Sequence, residues 1–126
     1  MSGPKDMQIC KTRIEGYKAA LQKHGLEINN DYIVHSNISY GEGQQILNYF
    51  MDLENPPDGI FAIVNRNAIE MMKAAKERKI KIPNELAFAG FGDDILPQYF
   101  EPPLTVYNHF PTEIGEAAIR TLIEHI

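Results

Sequence analysis

The chain has 126 residues, a formal net charge of −5 and a pI of about 5.3, with 44% hydrophobic and 23% charged residues. That length supports one core burying roughly two-thirds of the unfolded surface without metals or disulfides. The composition excludes an intrinsically disordered chain, and the acidic balance argues against direct binding to a phosphate backbone. Lys73, Lys76, Arg78, Lys79 and Lys81 are the only cationic concentration. Interrupted by Glu77, they spread around a helix end, as a solvated face favourable to the helix dipole. The single Cys10 cannot form an internal disulfide and falls at a helical apolar position, which fits a buried thiol in a reducing compartment. No apolar run approaches the ~18 residues of a membrane helix, and Met1-Ser2-Gly3-Pro4 is no signal peptide, so a cytoplasmic protein with no membrane partner is expected.

Two periodicities alternate along the chain. Residues 6–24 read as a helix through Cys10, Ile14, Tyr17 and Leu21, stopped by Gly25. Residues 31–36 form a short strand-like run, and Gly41 and Gly43 open a second helix with Ile46, Leu47, Phe50 and Met51 on one face. Asn55-Pro56-Pro57-Asp58-Gly59 breaks the chain before the apolar run 60–64, which reads as a strand buried on both faces. Asn65 or Asn67 is expected to cap the next helix, which carries Ala68, Met71, Met72 and Ala75 and ends near Ile80. A second buried strand spans 86–90, a polar loop 91–103, and a third apolar strand 104–108. Pro111 then opens an amphipathic helix through Ile114, Ala118 and Leu122. This order predicts an α/β fold, a doubly wound parallel sheet with helices on both faces. Ligands of such folds sit beyond the carboxyl ends of the strands, which selects residues 36–43, 64–67 and 90–100.

Enzyme signatures are missing from the sequence. It contains no P-loop, no strand-anchored G-x-G-x-x-G and no G-x-S-x-G elbow, and His24, His35, His109 and His125 lack metal-ligand spacing. Asp93-Asp94 follows a strand, but adjacent carboxylates point apart and read more readily as loop or capping acids. No catalytic residue, metal or cofactor is expected.

A longer constellation is more specific. Arg13-Ile14-Glu15-Gly16-Tyr17 is followed by Pro57-Asp58-Gly59-Ile60-Phe61-Ala62, then by Ile82-Pro83-Asn84-Glu85-Leu86 and Gly90-Phe91-Gly92-Asp93, and lastly by Pro102-Pro103-Leu104-Thr105. In this order and spacing the chain resembles the C-terminal lobe of the effector domain of LacI/GalR transcription regulators, which has the periplasmic-binding-protein fold. Gly16 is expected to let its helix pack closely on a neighbour, and Gly90 to end a strand at a sharp turn.

The resemblance implies a short list of ligand-binding residues. Arg13 matches the family arginine that reaches into the cleft, where its planar fork donates to effector oxygens. Ile38 falls where relatives place a bulky residue against the ligand. Asn65 sits at the position of a family Asp, with Val64 replacing the Asn before it. Gly92 stands where some members carry a sugar-contacting Asp, and Asp93 keeps the second acidic position. Tyr40, Phe91 or Tyr99 would supply an aromatic platform. Val64 and Gly92 remove two polar groups, so the resemblance does not carry the effector's identity with it.

The resemblance also implies that residues 3–108 are one lobe and 109–126 a helix crossing back to another. A strand ending at Gly3-Pro4, the N-terminal lobe and a helix-turn-helix headpiece are then expected upstream, with no DNA-binding domain in this stretch. The expected function is effector sensing for a bacterial transcriptional regulator, with a small carbohydrate or related metabolite as ligand, DNA as partner only through the headpiece, and a homo-oligomeric state. The alternative is a sugar-binding protein of a transport system with the same fold.

Overall fold

The computed structural model describes residues 1–93 and 95–126, and at residues 96 and 97 the backbone alone. Helix α1 spans Gln8–Lys23. Gly25 ends it as expected: its φ is +68°, and the amides of Gly25 and Leu26 donate back to the carbonyls of Gln22 and Leu21 at 3.1 and 2.9 Å. This pair of bonds satisfies carbonyls the helix would otherwise leave orphaned. Cys10 is buried, as expected, and its sulfur lies where a Cβ at Gly3 would come within 3.0 Å. Gly16 contradicts its expected role. It is exposed, with nothing within 4 Å of an added Cβ.

The close helix–helix approach belongs to Gly43 instead. Helices α2 (Glu42–Met51) and α3 (Asn65–Glu77) pack so tightly that a Cβ on Gly43 would lie 2.5 Å from the Glu70 Cβ and 2.7 Å from the Asn67 carbonyl oxygen. The Glu70 carboxylate accepts from the Gly41 and Gly43 amides at 3.2 and 2.9 Å. An anion from α3 thus caps the positive end of α2. Leu47, Phe50, Met71, Met72, Ala68 and Ala75 form the centre of the core from these two helices. Each large side chain there contributes about 1.5–3 kcal/mol of burial.

Neither Asn65 nor Asn67 caps α3. Its N-cap is Val64, with no side-chain hydrogen bond, and both asparagines are buried. The helix ends at Glu77 rather than near Ile80, because Lys79 turns to φ +62° and Ile80 donates back to Ala75 at 2.9 Å.

Strands β1 (Gly59–Ala62), β2 (Ala87–Phe91) and β3 (Thr105–Tyr107) form a parallel sheet in that order, with Ile60 opposite Phe88 and Phe91 opposite Tyr107. The expected α/β class with a parallel sheet is therefore observed. Ile60, Ala62, Phe88 and Leu104 turn into the core beneath α2 and α3. Alternation sends Phe61 and Phe91 to the opposite face, where Arg13 of α1 lies over Phe91. Burial of β1 on both faces is not observed: Phe61 is 43% exposed.

Residues 31–36 are not a strand. Asn30–Tyr32 is a 3-10 turn, and one parallel bridge joins Ser2 to His35. The first residues of the chain also reach β1. The Met1 amine donates to the Phe61 carbonyl at 2.7 Å, and Ile63 donates to the Met1 carbonyl at 3.4 Å. Residues 1–3 thus lie between segment 34–36 and the end of β1, where the end of a strand was expected. Helix α4 (Pro111–Glu124) starts at proline as expected, but all its residues are exposed.

Candidate functional site

The carboxyl ends of the strands bring three small assemblies to one edge of the sheet. The first is aromatic. Phe91 and Tyr107 are direct neighbours across β2 and β3, and their rings stack at 5.7 Å with 14° between planes. The His109 ring also stacks on Phe91, at 5.2 Å and 9°. Arg13, half-buried on α1, places its guanidinium 4.1 Å from the Phe91 centroid. Such a contact holds the planar fork in one orientation and contributes about 0.5–1 kcal/mol. The Nδ1 atom of His109 is buried without a partner among the described residues.

Asn65 forms the second assembly. It is 6% exposed, and its amide lies against the backbone at Gly90 and Gly92. A Cβ at Gly90 would stand 2.3 Å from Asn65 Oδ1, and one at Gly92 2.9 Å from Nδ2. Glycine at position 90 therefore makes room for Asn65 within β2, rather than ending the strand at a turn. Gly92 has φ +148° as well, which a side chain would strain. Asn65 Oδ1 has no hydrogen-bond partner among the described residues. A buried acceptor left open costs about 1–3 kcal/mol unless something donates to it.

The third assembly orders the loop before α2. Ser36 Oγ donates to the Glu42 carboxylate and accepts from the Ile38 amide and the Asn67 side chain, both at 2.9 Å. The Ser36 hydroxyl, helped by the backbone at Ser39, Asn37 and Ile38, holds the Glu42 carboxyl below its ordinary pKa against the opposing effect of burial. Ile38 takes φ +64° in this loop, its carbonyl accepting from Arg66. The Arg66 guanidinium also lies 4.3 Å from the centroid of Tyr40, an almost fully exposed ring.

An edge of the sheet with oriented arginines, a buried amide with an open acceptor and exposed aromatic rings is suited to a small polar ligand. Over residues 2–126 the chain matches the model of the periplasmic binding protein-like domain. The chain belongs to that family. Among curated members it is similar to the HTH-type transcriptional repressor CytR of Escherichia coli, 29% identical across the whole chain and 37% of that protein. It is also similar to the ribose operon repressor of Escherichia coli, 29% identical over the whole chain and 38% of that protein. Among solved structures, a regulatory protein of the LacI family from Chloroflexus aggregans superposes with a TM-score of 0.90 at 31% identity, over 97% of this chain and 44% of that one. The chain thus spans little more than a third of the length of these curated relatives.

Within this family member the expected site residues do not form one cluster. Asn65 meets Gly92, while Ile38 and Tyr40 share Arg66 as their partner. Arg13 belongs to the Phe91 stack, and Asp93 is exposed. Asp94 lies outside the described residues. Sequence reasoning missed Arg66, which links Tyr40 to Ile38 from 26 and 28 positions away, and no local pattern signals a partner at that distance. It also missed His109, noted only for lacking metal-ligand spacing, and gave Asn67 a capping role instead of its buried bond to Ser36. No group of three metal-ligating side chains and no helix long and apolar enough to cross a membrane occurs among the described residues.

Proposed function

We propose that this chain is the effector-sensing part of a LacI-type bacterial transcriptional regulator, taking a small carbohydrate or related metabolite at the carboxyl edge of its sheet. The observation that carries this reading is Asn65, buried with an open acceptor beside Gly92, in a chain whose relatives are repressors. Arg13 supplies donors, Asn65 a donor and an acceptor, and Asp93 acceptors; Ile38, Gly92 and Tyr40 border the ligand. Residues 3–108 act as one lobe, and 109–126 cross to a second, which agrees with the uncovered surface of α4. The effector acts by preferring one relative orientation of the two lobes, and so biases how a cytoplasmic homo-oligomer presents its headpieces to DNA. The names of the relatives favour this reading over a transport binding protein and over an enzyme.

The test uses the full-length regulator and a panel of monosaccharides and disaccharides that includes D-ribose, read by release from or retention on operator DNA. Arg13→Ala and Asp93→Ala should each weaken the response roughly ten- to a hundredfold while leaving effector-free DNA binding unchanged. That range corresponds to losing a charge-assisted hydrogen bond of about 1.5–3 kcal/mol. Unchanged midpoints in both variants would refute the site.

A further inference from the structure

The charged groups around the loop 36–42 are matched by partners except at Arg66. Ser36 and the backbone at residues 37–39 hold the Glu42 carboxylate, and the Gly41 and Gly43 amides hold that of Glu70. Both acids are thereby taken up by the start of α2. Arg66, half-buried on the first turn of α3, forms no ion pair among the described residues. One of its five N–H groups donates to the Ile38 carbonyl, and its buried Nε has no partner among those residues. A guanidinium drawn this far out of water is ordinarily matched by an anion.

Arg13 is left in the same state. It too forms no ion pair among the described residues, whereas Lys73 with Glu77, Arg78 with Asp52 and Lys81 with Glu85 pair at the far end of α3 and beyond it. The Arg13 and Arg66 guanidinia rest instead on rings, 4.1 Å from the Phe91 centroid and 4.3 Å from that of Tyr40. A ring orients a guanidinium through its quadrupole and consumes none of its N–H donors. Ile38 fixes Arg66 from a second direction. This β-branched residue sits at φ +64°, held by Ser36 accepting from its amide at 2.9 Å and by Arg66 donating to its carbonyl. The Arg66 fork therefore stands oriented and unneutralised beside the exposed Tyr40.

We propose, building on the reading that the effector occupies this edge of the sheet, that Arg66 binds an acidic group of the effector, a carboxylate or phosphate on a sugar-sized metabolite, with Tyr40 positioning the guanidinium. The oxyanion accepts paired N–H bonds from the groups that the protein leaves open, a geometry that lysine does not supply. Arg13 and Asn65 then read hydroxyls of the same molecule. Charge selects the ligand class, and hydroxyls select within it.

The probe is inorganic phosphate, titrated to about 50 mM into the whole isotope-labelled chain at fixed ionic strength, so that screening stays constant. Arginine Nε–H and backbone amide signals are followed by NMR. Saturable shifts are expected at Arg66 and at the Ile38 amide. Arg66→Gln should abolish them while keeping an N–H donor for the Ile38 carbonyl, and Tyr40→Leu should weaken phosphate severalfold. D-ribose, D-ribonate and D-ribose 5-phosphate then carry no acid, a carboxylate and a phosphate on one skeleton. One of the two acids should bind at least about tenfold tighter than D-ribose, a preference that Arg66→Gln erases and a mere clamp on the loop would not produce. The identity of the preferred acid separates the carboxylate from the phosphate. Shifts that never saturate, that centre on the cluster from Lys73 to Lys81, or that persist in Arg66→Gln would each overturn the proposal, as would neither acid exceeding D-ribose. Arg13→Ala keeps the two readings apart. If it abolishes binding of all three sugars while Arg66→Gln changes none, the effector site stands and the acid subsite falls. Phosphate held at Arg66 with Arg13→Ala and Asp93→Ala both silent in the effector response is the opposite result.

Discussion

Exchanging glycine for alanine at positions 16 and 43 should move stability in opposite directions. At Gly16 the added methyl meets nothing within 4 Å, in the middle of the exposed face of α1. Removing glycine's excess unfolded-state freedom there stabilises by about 0.5–1 kcal/mol, which raises Tm by roughly 2–5 °C for a domain of this size. At Gly43 the same methyl falls 2.5 Å from the Glu70 Cβ and 2.7 Å from the Asn67 carbonyl oxygen. Carbon atoms reach optimal contact at about 3.5–4.0 Å, so α2 must withdraw from α3 by about 1 Å. The second obstacle is backbone, which no rotamer change relieves. Withdrawal also stretches the 2.9 Å bond from the Gly43 amide to Glu70 and loosens Leu47 and Phe50 against Met71 and Met72. Overpacking of this kind costs about 2–3 kcal/mol. Urea unfolding followed by circular dichroism at 222 nm measures both variants against the parent chain. Gly43→Ala within about 0.5 kcal/mol of the parent would refute the packing argument, as would equal losses in the two variants.

Stability of the isolated 126-residue chain should rise between pH 6 and pH 8. The unfolded Met1 amine holds its proton up to its ordinary value of 8.0, whereas the folded amine has released it by about 6, so the unfolded state binds more protons in that window. The two-unit difference corresponds to about 2–3 kcal/mol, present in full above pH 8 and absent below pH 6. Denaturant melts across this range check the rise, and its absence would place the amine in water. Asn65→Ala should lower effector response in the full-length regulator more than it lowers stability, because it deletes an acceptor the fold leaves open; a thermal shift paired with an effector titration separates the two. The isolated chain should self-associate through α4, where Ile114, Ile119, Leu122 and Ile123 are each more than half exposed. Light scattering over a concentration series should show mass rising with concentration, and Ile119→Lys with Ile123→Lys should suppress it. A constant monomer mass in the parent chain would contradict this.

The sequence by itself determined the features whose causes are local. The 3.6-residue periodicity located α1, α2 and α3. Gly25 marked the end of α1 because a positive φ there costs glycine nothing, and Pro111 marked the start of α4 because its missing N–H has no partner to lose in a first turn. The continuous apolar runs located β1, β2 and β3 and with them the parallel α/β class, although alternate residues of these strands are not buried. The family resemblance spread over residues 13–105 was also legible, because it lies in spacing.

Tertiary structure decided which glycine is a close-packing glycine. Gly16 and Gly43 look alike in the sequence, and the difference is the approach of Glu70, 27 residues further on. It decided that Asn65 and Asn67 turn inward, toward Gly90 and Gly92 and toward Ser36, when either would make a competent cap. Residues 31–36 carry strand-forming side chains, yet among the described residues their backbone pairs across to Ser2 alone. The run becomes a turn and a single bridge. Phe61 is exposed because alternation along β1 turns it away from α2 and α3. A residue's identity fixes which hydrogen bonds and contacts it can make, while the partners that arrive from distant parts of the chain fix which of them it does make.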